Sequence, residues 1–273
     1  MATLFDAALA VAELFPGFRE GAATGGSTTE IEDTDRPEGD DYFNNGTAFI
    51  IAAGAAAPED EMRRISDFAN TGGVVTVDDA FSATVAADDT YGLLPGIAPD
   101  ILKAKINTVV RKFQYEQWDI TSLDTVSGQT VYTLPAAIPA KTLISVKIQT
   151  NNDDADDPQW VDVPNWKPKT AAAGSQDEVI LPGGLTSSRN LALVYAKKHP
   201  RLTADDSEIH QSIPLERIIY KAAANLMKDK LYDNDGKDNI AALINDLEEQ
   251  NREMQARFPV GVSLRDSKVM DPW

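Results

Sequence analysis

The side chains that could carry catalysis or hold a metal are few and poorly spaced for either. There are two histidines, His199 in a Lys-Lys-His-Pro stretch and His210 in Glu-Ile-His-Gln, eleven residues apart. That separation matches no helical or loop metal motif, and the reading for both is a surface role. Cysteine is absent, so no thiolate nucleophile, disulfide framework, Cys-bound zinc or iron-sulfur cluster can form. Neither a GxSxG elbow nor a Walker loop occurs. The stretch Ala23 to Thr28 is rich in Gly, Ser and Thr but lacks the lysine and the strand-to-helix context of a phosphate loop.

Carboxylates are abundant, and two loops concentrate them. In Asp233-Asn234-Asp235-Gly236, placing Gly236 at the obligatory glycine of a calcium loop puts Leu231 at the first ligand position and Ala242 at the twelfth, where a bidentate Glu is required. The match fails. The run from Asn151 to Asp157 offers more oxygens with nothing to fix their geometry, and reads as a solvated loop. A paired-carboxylate hydrolase stays open in principle, but among 43 acidic residues any pair carries almost no information. Trp160 and Trp166 flank Val161 to Asn165 without interleaved basic residues except Lys167 and Lys169; that pattern suits packing in a sheet better than a base-stacking platform. The expectation is a protein that is not an enzyme and takes no cofactor or metal.

The 273 residues are 42% apolar and 25% charged, ordinary for a globular protein large enough for two modest domains. The formal net charge of -18 argues against gripping nucleic acid or an anionic membrane with the whole surface. Acidity is concentrated early: residues 1–100 hold 19 acids and 4 bases, residues 101–200 hold 10 and 11, and residues 201–273 hold 14 and 10. The apolar stretch near the amino end is interrupted by Asp6 and Glu13 and lacks a basic leader, so the expectation is a soluble, unprocessed chain without a membrane span.

Four segments have helical spacing. Leu4, Ala8, Val11 and Phe15 form the first stripe, ended by Pro16-Gly17. Residues 98–118 form the second, with Pro99 and Asp100 in a favourable first turn. The third follows Ser212 and Pro214 through Ile218, Ala222, Ala223 and Met227. A fourth carries Ile240, Leu243, Ile244, Leu247 and Met254, after a short polar turn that predicts an antiparallel helix pair. Between them the period drops to two: strands are expected at 47–53, 62–68 and 74–78, and again at 130–134, 143–150, 160–163, 179–181 and 191–195.

Helices too short to be stable alone must bury their stripes together. The expected fold is therefore α+β: a helical bundle with a C-terminal antiparallel helix hairpin and two inserted small β units. Its parts would be a bundle helix in 1–19, a small β domain in 20–95, a bundle helix in 96–118, a second β domain in 119–211, the helical hairpin in 212–258 and an extended arm in 259–273.

Two stretches carry a resemblance. Gly46 to Gly54, Arg64 to Phe68, Gly73 to Asp78, Ala80-Phe81 and Asp88 to Tyr91 resemble a β module common in virion proteins of tailed bacteriophages. Leu191 to Tyr195, Pro200 to Thr203, Ile213 to Leu215 and the Ala-rich helix to Met227 are similar to the end of phage neck and head-to-tail connector proteins. The resemblance implies a non-enzymatic structural subunit of the virion neck, the adaptor beneath the portal. It implies partners too: copies of itself in a ring, commonly a dodecamer, the portal protein, and tail or neck proteins. DNA would pass through the channel without specific binding, no membrane would be involved, and the chain would be made in the host cytoplasm. Connector proteins of this type dock their C-terminal ends onto the portal, so the resemblance marks Val260, Val262, Leu264, Val269, Met270 and Trp273 as a candidate portal-docking arm. The alternatives are another virion component, a tail terminator or capsid decoration protein, and a virion-associated glycan-binding or glycan-hydrolysing protein.

Overall fold

In a computed structural model, residues 1–54, 58–151, 158–172, 175–231 and 237–257 are described. They divide into two compact units: residues 1–112 with 200–257, and residues 113–199.

The first unit is built on a β-barrel. Its strands are β1 (Arg19–Ala22), β2 (Gly25–Gly26), β3 (Glu30–Glu32), β4 (Thr47–Ala52), β5 (Glu61–Ala69), β6 (Val74–Val77) and β7 (Thr90–Leu94), in the order β1-β7-β4-β5-β6-β3-β2. Every pairing is antiparallel. The two ends of that order are consecutive in the chain. Between them Ala23 N donates to Asp89 O at 2.8 Å and Thr24 N to Glu32 O at 2.7 Å, so residues 19–26 act as one bent strand that seals the sheet on itself. Closure removes the exposed edges that a flat sheet would leave.

Alternation decides what lies inside. Ala48 and Ile50 of β4 join Ile31, Ile65, Phe68, Val75, Val77, Tyr91 and Leu93 in the buried core, with Phe43, Phe81 and Val85 added from the loops. Phe49 projects the other way, and its ring meets Phe5 at 5.9 Å and Phe18 at 6.2 Å. Both faces of β4 are thus covered, which explains its unbroken apolar run.

Four helices belong to this unit: α1 (Leu4–Glu13), α2 (Pro99–Val110), α3 (Leu215–Leu231) and α4 (Lys237–Arg257). A reciprocal capping box starts α1, with Thr3 and Asp6 each accepting from the other's backbone amide. Helix α3 packs on α1, α2 and α4, and its Ala222, Ala223 and Ala224 are completely buried. The chain that re-enters the first unit at Pro200 acts as a staple. Asn107 bonds both backbone groups of Leu202, at 3.0 and 2.8 Å. Asp205 O and Ser207 O accept from Phe5 N and Leu4 N, both at 2.9 Å, so the amino end is fixed by residues 200 positions away in sequence or more.

The second unit is a two-sheet sandwich of β8 (Gln114–Asp124), β9 (Val131–Thr133), β10 (Leu143–Gln149), β11 (Trp160–Asp162), β12 (Lys167–Lys169), β13 (Glu178–Ile180) and β14 (Asn190–Lys198). One sheet runs β11-β10-β14-β8 and the other β12-β13-β9. Tyr132, Leu134, Val146, Val179, Leu181, Leu191 and Leu193 fill the space between them. Asp177 ties the smaller sheet to its loops: its carboxylate accepts from Ala140 N at 2.8 Å and Ala171 N at 2.9 Å. Those backbone donors hold its carboxyl below the usual range.

The expected α+β fold, a helical bundle with a C-terminal helix hairpin and two inserted small β units, is overturned. Among the described residues fourteen strands in three antiparallel sheets form most of the architecture, and the four helices belong to the first unit. The physical reason is that much of the sheet is built from strands of two to four residues, whose pairing depends on partners remote in sequence. The second expected helix also stops early. It ends at Val110, and Gln114–Asp124 is a strand in which Glu116, Trp118 and Ile120 alternate with Tyr115, Gln117 and Asp119. Among the described residues no helix is long and apolar enough to cross a membrane.

Candidate functional site

The expected docking residues Val260, Val262, Leu264, Val269, Met270 and Trp273 lie outside the described residues. The same holds for Asp153 to Asp157 and for Asp233 to Gly236, the two acidic loops considered for calcium. Among the described residues no group of three or more His, Asp or Glu is placed to hold a metal ion. His199 is buried, its ring 5.9 Å from Tyr115, while His210 Nδ1 lies 2.8 Å from Ser212 Oγ. The two histidines fall in different units.

In the first unit, charged groups gather in two places. An open groove of about 600 Å³ is lined by Arg63, Arg64, Lys103, Asp78, Asp79 and Asp100, among others. Its cations are already engaged. Arg63 bonds Glu61 at 2.5 Å and Ala80 O at 3.0 Å, Arg64 lies 3.6 Å from Asp78, and Lys103 pairs with Asp205. Asp205 also accepts from Met62 N at 3.1 Å, making it a junction of β5, α2 and the returning chain. The second place is the mouth of the barrel. There Tyr91 donates to Asp33 Oδ2 at 2.5 Å, and Arg36 Nε donates to Asp33 at 3.0 Å and to the Tyr91 hydroxyl at 2.6 Å. Burial, reinforced by the Asp33 carboxylate, pushes the Tyr91 phenol well above its usual range. In both arrangements the charged groups bond mainly to one another and to backbone, which holds structure in place, and in the second Arg36 Nη2 is buried without a hydrogen-bond partner.

The second unit presents a different surface. The β8–β14 register sets Glu116 opposite Ala196, Trp118 opposite Val194 and Asp124 opposite Asn190, so all three side chains share the face turned away from the sandwich core. On that face Trp118 is 42% exposed, and Ile120, in the bulged part of the strand, is 43% exposed. Glu116 accepts the indole N–H of Trp118 at 2.7 Å, which satisfies the polar atom of the ring and fixes its orientation. Trp160 comes from the opposite edge of the sheet to within 6.5 Å of Trp118, nearly perpendicular to it. Lys147 lies 5.5 Å from the Trp118 ring and 3.1 Å from Asp162. Beyond Trp118 the strand bulges, and Asp119 accepts from Thr121 N, Ser122 N and the Ser122 hydroxyl. Burial alone would raise the Asp119 carboxyl, but these hydrogen bonds outweigh it and hold the group below the usual range.

Such a surface suits contact with a macromolecule. Tryptophan is among the residues most able to anchor an interface, and an exposed ring with a satisfied N–H can be covered without losing a hydrogen bond. Of the tryptophans considered in sequence, Trp166 packs against the sandwich core, whereas Trp160 belongs to the outer face. Trp118 was hidden by the apparent helix. The alternation of Glu116, Trp118 and Ile120 is the one local signal that could have placed it on a strand. No family model and no curated protein matches the chain.

Proposed function

We propose that this chain is a non-enzymatic structural subunit of a tailed-phage virion, an adaptor that forms a ring with its own copies between the portal and the tail. The observation that carries the proposal is the outer face of the second unit, where the 11-residue strand β8 ends its sheet with no residue buried and with Trp118 and Ile120 exposed. A long outer strand of this kind is a surface for a protein neighbour. The resemblance to phage connector proteins supplies the class of assembly. The excess of acids in residues 1–100 supports passage of DNA without adhesion, because a carboxylate-rich wall repels phosphate. In this reading the segment containing Val260 and Trp273 reaches the portal.

Electron microscopy of particles carrying a label on this chain tests the proposal. Label at the junction of capsid vertex and tail is the expected result. Label along the tail shaft or over the capsid shell rejects it.

A further inference from the structure

We infer that copies of this chain join head to tail through the second unit, the acidic and aromatic face of β8 on one copy meeting the lysine edge around β12 on the next. The inference rests on the ring reading above and names the surfaces that would form the ring.

The two lateral margins of the sandwich have opposite character. One is formed by β8, whose exposed face carries Glu116, Trp118, Ile120 and Asp124. Strand β9 lies on the same side, since the Tyr132 hydroxyl accepts from Val126 N at 3.0 Å just beyond β8. The other margin is formed by β11 and β12, joined by residues 163–166. There Lys167, Pro168 and Lys169 are all exposed, the short turn 140–142 that packs on β12 adds exposed Lys141, and Val161 of β11 is 53% exposed. Lys169 shares its charge with Glu178 of its own sheet at 2.6 Å and the exposed Asp162 of β11 shares its charge with Lys147 at 3.1 Å, so the positive sign of this margin rests on Lys141 and Lys167.

Charge decides which margins can meet. Two β8 faces brought together would oppose carboxylates, and two β12 margins would oppose ammonium groups; each symmetric pairing is repulsive. Only the unlike pairing is favourable, with Trp118 and Ile120 able to cover Val161, Pro168 and the aliphatic stems of the lysines. Backbone geometry agrees. Pro168 lacks an amide donor and lysines protect the β12 edge, so this margin cannot extend a neighbour's sheet and must meet it through side chains. A contact between two different surfaces of identical subunits propagates in one direction and closes into a ring when its rotation permits.

The test uses the full chain in sedimentation velocity at low and high salt. The parent should associate at low salt and dissociate as salt rises. Glu116→Lys with Asp124→Lys makes both margins positive, and Lys167→Glu with Lys169→Glu makes both negative; each double variant should lose association by about tenfold or more. Mixing the two double variants, or combining all four changes in one chain, restores unlike margins and should restore association. Circular dichroism verifies that each variant is folded. A parent that stays monomeric at about 100 µM overturns the inference, as does parent-like association in both double variants or failure of both rescues. Association that is insensitive to these charges, in a chain that labels the neck, removes the proposed surfaces and leaves the adaptor reading standing. Charge-dependent association in a chain that labels another part of the virion does the reverse.

Discussion

Replacing Tyr91 by Phe isolates the bonds at the mouth of the barrel. The ring is fully buried and would stay in place, with the Arg36 guanidinium still 4.9 Å from its centroid. What disappears is a hydroxyl that donates to Asp33 at 2.5 Å and accepts from Arg36 at 2.6 Å. Hydrogen bonds to charged groups contribute about 1.5 to 3 kcal/mol each, but Asp33 and Arg36 keep each other at 3.0 Å, so the full sum is not lost. The expected cost is about 2 to 3 kcal/mol, roughly a 30- to 150-fold change in the unfolding equilibrium. Urea unfolding reads it with spatial resolution. Among the described residues all four helices lie in the first unit, so ellipticity at 222 nm reports that unit, while Trp118, Trp160 and Trp166 report the second by fluorescence in a Trp273→Phe background. The same pair of proteins tests the phenol's titration. Because folding raises the Tyr91 pKa above its unfolded value near 10, its contribution is complete below that pH and is lost as pH rises toward the folded value. The parent should therefore approach the Phe variant in stability above about pH 10. A difference below about 0.5 kcal/mol at pH 7, or a shift seen only in tryptophan fluorescence, would show that the cluster does not hold the barrel.

Asp205→Ala should cost about 2 to 4 kcal/mol, because it removes the acceptor for Met62 N and strands Lys103 beside β5; thermal unfolding followed at 222 nm measures it. Gly73→Ala should be more damaging than an ordinary surface change. Gly73 has φ +60°, and an added Cβ would fall 1.8 Å from Asp33 O, so soluble yield and midpoint should both drop. In the second unit, stability owed to Asp177 is present above its unfolded pKa and is lost as pH falls through its depressed folded value. Asp177→Asn should weaken the unit at pH 7 and flatten the acid limb of its fluorescence-detected unfolding curve. Deleting residues 260–273 should abolish portal binding in a pull-down while leaving both unfolding transitions in place; undiminished binding counts against the arm.

Legibility in the sequence followed burial. Strand β4 could be read from Thr47–Ala52 because packing on both faces demands a continuous apolar run, and β14 for the same reason. Helix α1 was marked by its stripe and stop. Strands β1 to β3 left no such trace: they hold two to four residues, β2 is just Gly25–Gly26, and the barrel closes through pairing with β7 and β3 joined by bonds between residues 23–24 and Asp88, Asp89 and Glu32. The misjudged region was Arg111 to Trp118, where Phe113 continues the spacing of Ile106, Val109 and Val110 and so extended the apparent helix across a change of period. The corner between Trp118 and Trp160 could not have been found locally, since it depends on the order of four strands. The network of Asp33, Arg36 and Tyr91 has only a short-range Asp-to-Arg spacing to announce it.

The manner in which the second unit is spliced into the chain has its own consequence. Gln114 opens β8 and Lys198 closes β14, and these two residues are paired partners, as His199 N and Phe113 O are at 3.3 Å. The unit thus leaves and rejoins its host at adjacent points, about 5 Å apart for paired residues. A short glycine bridge from Lys112 to Pro200 is therefore the expected replacement for residues 113–199. The second unit is thus one uninterrupted insertion, a cartridge carried on a chassis built from residues 1–112 and 200–257.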